Sequence, residues 1–189
     1  MKYICLFLLV AVSLTGISAV YAENITSDLS DNLLRLHVIA NSNSQKDQEI
    51  KLKVRDEILK AAKESPDKKE LEKTVNNILR ELGADYSGEI RILNRYVPEK
   101  TYKNIHLPEG SYNCINVVLG EGKGENWWCV AYPPLCFTEE VFGELSEEGR
   151  LLLEKKLSAE SFRAIVYDGD VNLRFKIVDE FIKLKNKLW

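Results

Sequence analysis

The sequence predicts an α+β fold: a mainly antiparallel sheet with helices packed on one face, in a single domain after a signal peptide. Three observations lead there. Short apolar or alternating runs at 33–40, 89–97, 111–119 and 126–132 read as strands. Stretches with apolar residues three and four apart lie beside them, two before the later strands and the rest after. The N-terminus has the order of an export signal. Lys2 is followed by no charge until Glu23, Ile4 to Val12 is wholly apolar, and Val20-Tyr21-Ala22 offers small residues at the two positions a signal peptidase reads. Cleavage is expected between Ala22 and Glu23. The rival reading is a retained membrane anchor, since about 20 residues can span a bilayer. Ser13, Thr15, Gly16 and Ser18 make the second half polar for that role.

Composition narrows the class. The 189 residues carry 26 Lys+Arg against 29 Asp+Glu, a formal charge of −3, and 45% are hydrophobic. That apolar content is too high for long disorder. The absence of a basic surplus argues against nucleic acid as a partner. The chain divides into 1–22 as leader, 33–137 as the α+β core, and 138–189 as an acidic helical segment and a C-terminal amphipathic helix on the same domain.

Residues 23–32 are polar and read as a flexible lead-in. Leu33 to Ala40 is dense in Leu, Val and Ile, as in a buried strand. Asn41-Ser42-Asn43-Ser44 is a turn, with Ser44 as N-cap and Asp47 three residues on as an imperfect capping box. A helix over about 45–63 stacks Ile50, Val54 and Ile58. Ser65-Pro66 opens a second helix, striped by Leu71, Val75, Ile78, Leu79 and Leu82 and stopped at Gly83. Residues 89–97 alternate as a strand, and 99–110 read as a loop. In the strand from Ser111 to Leu119, Ile115, Val117 and Leu119 face one way, Tyr112, Cys114 and Val118 the other. A glycine loop, Gly120, Gly122 and Gly124, leads into the strand from Asn126, and the two strands read as a hairpin. Leu145 to Leu157 suggests a helix, Phe162 to Tyr167 a short extended segment, and 171–188 a C-terminal helix.

The chemistry-bearing residues do not assemble into a recognisable catalytic set. The glycine series opens a strand rather than a helix, so it lacks the geometry of a phosphate cradle. His37 sits in an apolar strand, where a satisfied core role is expected, and His106 lies in a loop with no recognisable partner. No cofactor or metal is expected, because the thiols contain no Cys-x-x-Cys pair. Export makes disulfides available. Cys129 and Cys136 flank Pro133 and Pro134 and are the candidate pair; Cys114–Cys129 and Cys114–Cys136 are the competing ones. The segment from Asn126 to Phe137 concentrates Trp127, Trp128, Cys129, Pro133, Pro134, Cys136 and Phe137. Adjacent Trp on a strand face opposite ways, so one can enter the core while the other meets a second layer or a partner.

The same residues carry a resemblance. Leu34-Arg35-Leu36-His37-Val38-Ile39-Ala40-Asn41-Ser42-Asn43-Ser44, followed by Asp47-Gln48 and Lys51 to Asp56, resembles the start of the stage II sporulation protein R family. Leu107 to Tyr112, Gly120 to Cys129 and Pro133 to Phe137 resemble its second signature. The resemblance implies an exported signal of endospore-forming bacteria. It would be secreted by the forespore into the space between forespore and mother cell. There it would activate a membrane-embedded aspartic-type protease, leading to processing of the early mother-cell sigma factor, with no catalysis of its own. The N-terminal segment could add a membrane contact. Asn41, Ser42, Asn43 and Ser44, with Asn126, Trp127, Trp128, Pro133, Pro134 and Phe137, are the candidate interaction surface. The alternative is an exported peptidoglycan-binding or cell-wall hydrolytic domain.

Overall fold

The structure is a computed structural model that describes residues 2–62, 66–102, 105–133, 135 and 147–166. The expectations for Pro134, Cys136, Phe137, residues 138–146 and the C-terminal helix lie outside the described residues. The fold is α+β, with a mainly antiparallel sheet in a single domain. Its elements are α1 (Lys2–Asn32), β1 (Leu34–Ile39), α2 (Gln45–Ala61), α3 (Lys68–Glu81), β2 (Gly88–Val97), β3 (Lys100–Tyr102), β4 (Ile105–Leu107), β5 (Gly110–Leu119), β6 (Asn126–Tyr132), α4 (Glu147–Lys156) and α5 (Ala159–Ile165).

The main sheet has the order β2-β5-β1-β6. β1 runs parallel to β5 and antiparallel to β6, and β2 runs antiparallel to β5. β5 and β6 are therefore not a hairpin. They flank β1, and the glycine loop between them arches over the C-terminal end of β1. The arch must cross two strand spacings, roughly 10 Å, which six residues span easily. β1 is the central strand, and its near-continuous apolar run fits burial on both faces.

Alternation along the strands sorts side chains to two cores. Leu34, Leu36 and Val38 of β1 join Ile115, Val117 and Leu119 of β5 beneath α2 and α3, whose Ile50, Val54, Ile58, Leu71, Val75 and Leu79 are all buried. This is the helical layer the periodicity predicts. Ser44 caps α2 by accepting from the Asp47 N–H, as the sequence indicates. Asp67 caps α3 by accepting from the Lys69 and Glu70 N–H groups.

A second core lies on the opposite face. Tyr112 and Val130 meet Ile25, Leu29 and Leu33 from α1 and its end, and Leu153, Phe162 and Ile165 from α4 and α5. The lead-in at 23–32 is thus helical, not flexible. Ile25, Leu29 and Leu33 are four apart, and each is at most 2% exposed. Burying a side chain of that size is worth about 1.5–3 kcal/mol, enough to outweigh the polar residues between them. Asp28 accepts from the backbone N–H of Ser158 at 2.9 Å, which joins α1 to the start of α5. Phe162 to Ile165 is likewise helical rather than extended, and only Val166 makes a bridge, to Ile105. The 99–110 loop contains the small β3–β4 pair.

Candidate functional site

Two polar arrangements stand out, one at the Asn41–Ser44 turn and one beside Trp128. The first is built by the Asn41–Ser44 turn. Asp47, in the first turn of α2, accepts from Ser42 Oγ at 2.5 Å, Tyr86 OH at 2.6 Å and Asn41 Nδ2 at 2.9 Å. Burial pushes the Asp47 carboxyl up, but hydrogen bonds from Ser42, Tyr86, Asn41 and Ser44 together hold it down to about 2. Burial, and then the hydrogen bond to Asp47 and its charge, raise the Tyr86 phenol above its ordinary value.

The same turn grips the arch. Asn41 Oδ1 accepts from the Glu121 N–H at 2.9 Å, and Asn43 Oδ1 from the Glu125 N–H at 2.7 Å. The N–H groups of Lys123 and Gly124 donate to the Asn41 and Ala40 carbonyls. A Cβ at Gly124 would run into the Ser42 carbonyl, so only glycine permits this approach. Gly120 has φ +55, in the left-handed region. Most of the polar atoms of Asn41, Ser42 and Asn43 are therefore occupied inside the molecule. Asn43 and Ser44 remain exposed at the surface.

The second arrangement lies on the α1 face of the sheet. His37 and Trp128, cross-strand neighbours, stack with ring centres 3.7 Å apart and planes 9° from parallel. His37 Nδ1 lies 2.7 Å from Asn116 Oδ1 and 2.9 Å from Arg95 Nη1. Arg95 Nη1 donates to the same oxygen at 3.0 Å, and the Arg95 guanidinium sits 5.3 Å from the Trp128 ring centre. Burial lowers the His37 pKa to about 4, with the Arg95 charge helping and the Asn116 hydrogen bond opposing. One row along, Arg35 is fully buried. Its Nε donates to the Cys129 carbonyl at 3.3 Å and its guanidinium lies 5.2 Å from the Tyr112 ring centre. Its two terminal nitrogens have no hydrogen-bond partner among the described residues.

The tryptophans divide as strand alternation requires. Trp127 packs toward the α2–α3 core, with the Arg55 guanidinium 4.5 Å from its ring centre. Trp128 packs toward the α1 side. Both are half-buried, Asn126 is exposed and Pro133 is buried. Cys129 is disulfide-bonded, whereas Cys5 and Cys114 are free, which sets aside both pairings that use Cys114. Burial raises the Cys114 thiol to about 11, against the pull of Arg95 and Arg35. His106 is buried, and its Nδ1 lies 3.0 Å from the Thr101 hydroxyl. Ala22 is 3% exposed within α1, so the Ala22–Glu23 bond sits inside a helix of the folded chain. No metal-holding cluster of His, Cys, Asp or Glu occurs among the described residues.

Sequence reasoning missed Arg35, Arg95, Asn116 and Tyr86. Arg35 and His37 were visible as polar residues two apart in an apolar strand, hence on one face. Arg95 and Asn116 carry no such signal: strand register sets Asn116 beside His37, and the long Arg95 side chain reaches that pair from β2.

Fold and site together define a small α+β scaffold whose turn side chains lock one loop in place and whose other sheet face carries a cationic, aromatic cluster. The family model for stage II sporulation protein R matches residues 30–141. Stage II sporulation protein R of Bacillus subtilis (strain 168) is 34% identical over 164 residues, covering 77% of this chain and 73% of that protein. The chain belongs to the stage II sporulation protein R family. No solved structure matches it.

Proposed function

We propose that the protein is an exported, non-catalytic sporulation signal, released by the forespore into the intermembrane space. There it activates a membrane-embedded aspartic-type protease of the mother cell, and so the processing of the pro-form of the early mother-cell sigma factor. The observation that carries this reading is membership of a sporulation family over residues 30–141, directly behind an export-type leader. The geometry is compatible with a message carried by shape. Asp47, Asn41 and Asn43 are used to fix a loop, and the described His and Cys groups form no nucleophile–base pair. A Cys129–Cys136 disulfide would hold the chain beyond β6 close to the sheet.

Reconstitution tests the reading. Vesicles carrying the protease and its sigma-factor substrate are mixed with the protein recovered after export. Cleavage that depends on added protein supports the proposal. No stimulation, together with retention on or turnover of peptidoglycan, supports the cell-wall alternative and overturns it. Mass analysis of the exported product reads both the Ala22–Glu23 cleavage and the disulfide.

A further inference from the structure

Among the described residues, the cover over the α1 face of the sheet is incomplete. The cross-strand row Leu93, Cys114, Arg35 and Val130 runs from β2 to β6, and all but Leu93 are buried. Toward the end of β1 that carries the arch, His37 and Asn116 stay buried, but Arg91 is exposed and Trp128, Ile39 and Val118 are half-buried. On the β2 edge Leu93 is 37% exposed, and half-buried Arg95, paired with Tyr112 on the other side of the row, reaches back with its side chain to Asn116. All of these side chains share one face by register.

This open part combines apolar and cationic groups in a way the rest of the molecule does not balance. Glu89 neutralises Arg91 through two hydrogen bonds, at 2.7 and 3.0 Å. Arg95 has no such carboxylate among the described residues; its contacts there are neutral, to Asn116, His37 and Trp128. Arg35 beneath it also meets no carboxylate among the described residues. The chain as a whole is acidic, at −3, so two uncompensated guanidiniums on one face are a local feature and not background. Trp and Arg are the side chains that dominate binding energy at protein interfaces. The Trp128 indole is already held flat on His37, so little freedom is lost when a partner covers it.

We propose that this open sheet face, centred on Trp128 and Arg95 with Leu93, Ile39 and Val118 around them, docks an acidic segment of the receptor protein, apolar beside its carboxylate. The proposal rests on the signalling reading above. The carboxylate meets Arg95, and the flanking apolar group covers Trp128 and Leu93. The Asn41–Ser44 turn then acts at one remove, by holding the arch and the start of β6.

Binding to protease-bearing vesicles tests it, using protein expressed from the full-length sequence and recovered after export. Trp128→Ala and Arg95→Glu are each expected to weaken binding at least tenfold, and Arg95→Lys less. Lys53→Glu, an exposed change on α2, is expected to leave it unchanged. Wild-type binding is expected to weaken as salt rises, because a screened ion pair contributes. Far-ultraviolet spectra and melting of each variant separate lost docking from lost folding, and Arg95→Gln serves if the Glu variant does not fold. Wild-type affinity in the folded Arg95 and Trp128 variants overturns this docking surface and leaves the signalling reading standing. Equal binding to protein-free phosphatidylglycerol vesicles overturns it in favour of a lipid surface. A wild type that neither binds nor stimulates the protease overturns both.

Discussion

Replacing Asp47 by Asn tests whether the turn is a clamp. The change keeps the shape and removes the charge. Asp47 Oδ2 accepts from Ser42 and Asn41, and Oδ1 from Tyr86. An amide can present one oxygen only. If it keeps the Oδ2 position, the Tyr86 hydroxyl faces an N–H and two charge-assisted bonds become neutral ones. Hydrogen bonds to charged groups are worth about 1.5–3 kcal/mol each and neutral ones about 0.5–1.5. The expected loss is about 2–4 kcal/mol, a large part of the 5–15 kcal/mol typical of a folded domain. With a urea slope of about 2 kcal/mol/M, the midpoint should fall by about 1–2 M. The pH dependence gives a second, independent check. The folded pKa of about 2 lies below the ordinary 3.8, so the Asp47 contribution is present above about pH 4 and fades as pH falls toward 2. The gap between wild type and Asp47→Asn should therefore shrink across that window. Equal midpoints at pH 7, or a gap that stays constant down to pH 2, would refute the clamp.

Further outcomes follow from the same contacts. The folded His37 pKa of about 4 lies below 6.5, so protonation favours the unfolded chain; stability should decline as pH drops from 6.5 to 4, and urea midpoints of His37→Gln should be flatter there. Arg35→Met removes a fully buried cation that meets no carboxylate among the described residues, at the cost of one bond to the Cys129 carbonyl and the contact with the Tyr112 ring, and should raise the melting temperature, since buried uncompensated charge costs several kcal/mol; a lower melting temperature would show that the charge is satisfied. Gly124→Ala should destabilise by about 2 kcal/mol or more and raise the exchange rate of the Glu121 and Glu125 amides, because the arch must leave Ser42.

Much of the fold was legible because periodicity and burial agree. The α2–α3 stripes and the inward set Ile115, Val117 and Leu119 could be read directly from spacing. What was not legible depends on long-range choices. A six-residue glycine loop serves equally as a hairpin turn or as an arch over a third strand. The better clue was elsewhere, in the near-continuous apolar run of β1, which fits a strand inside the sheet, covered on both faces, rather than one at its edge. Residues 23–32 looked polar by composition, although Ile25, Leu29 and Leu33 already traced a helical stripe toward the second core. For the site, opposite facing of Trp127 and Trp128 followed from strand geometry alone. Which one lies beside the Arg95 guanidinium did not, since Arg95 reaches Trp128 from a strand three places away across the sheet.

The most direct measurement of the central claim is the rate of sigma-factor precursor cleavage by the vesicle-embedded protease, with and without the exported protein. Cleavage should rise with added wild-type protein and saturate, and folded Trp128→Ala should fail to produce the rise. A protease rate indifferent to the protein at every concentration would contradict the account.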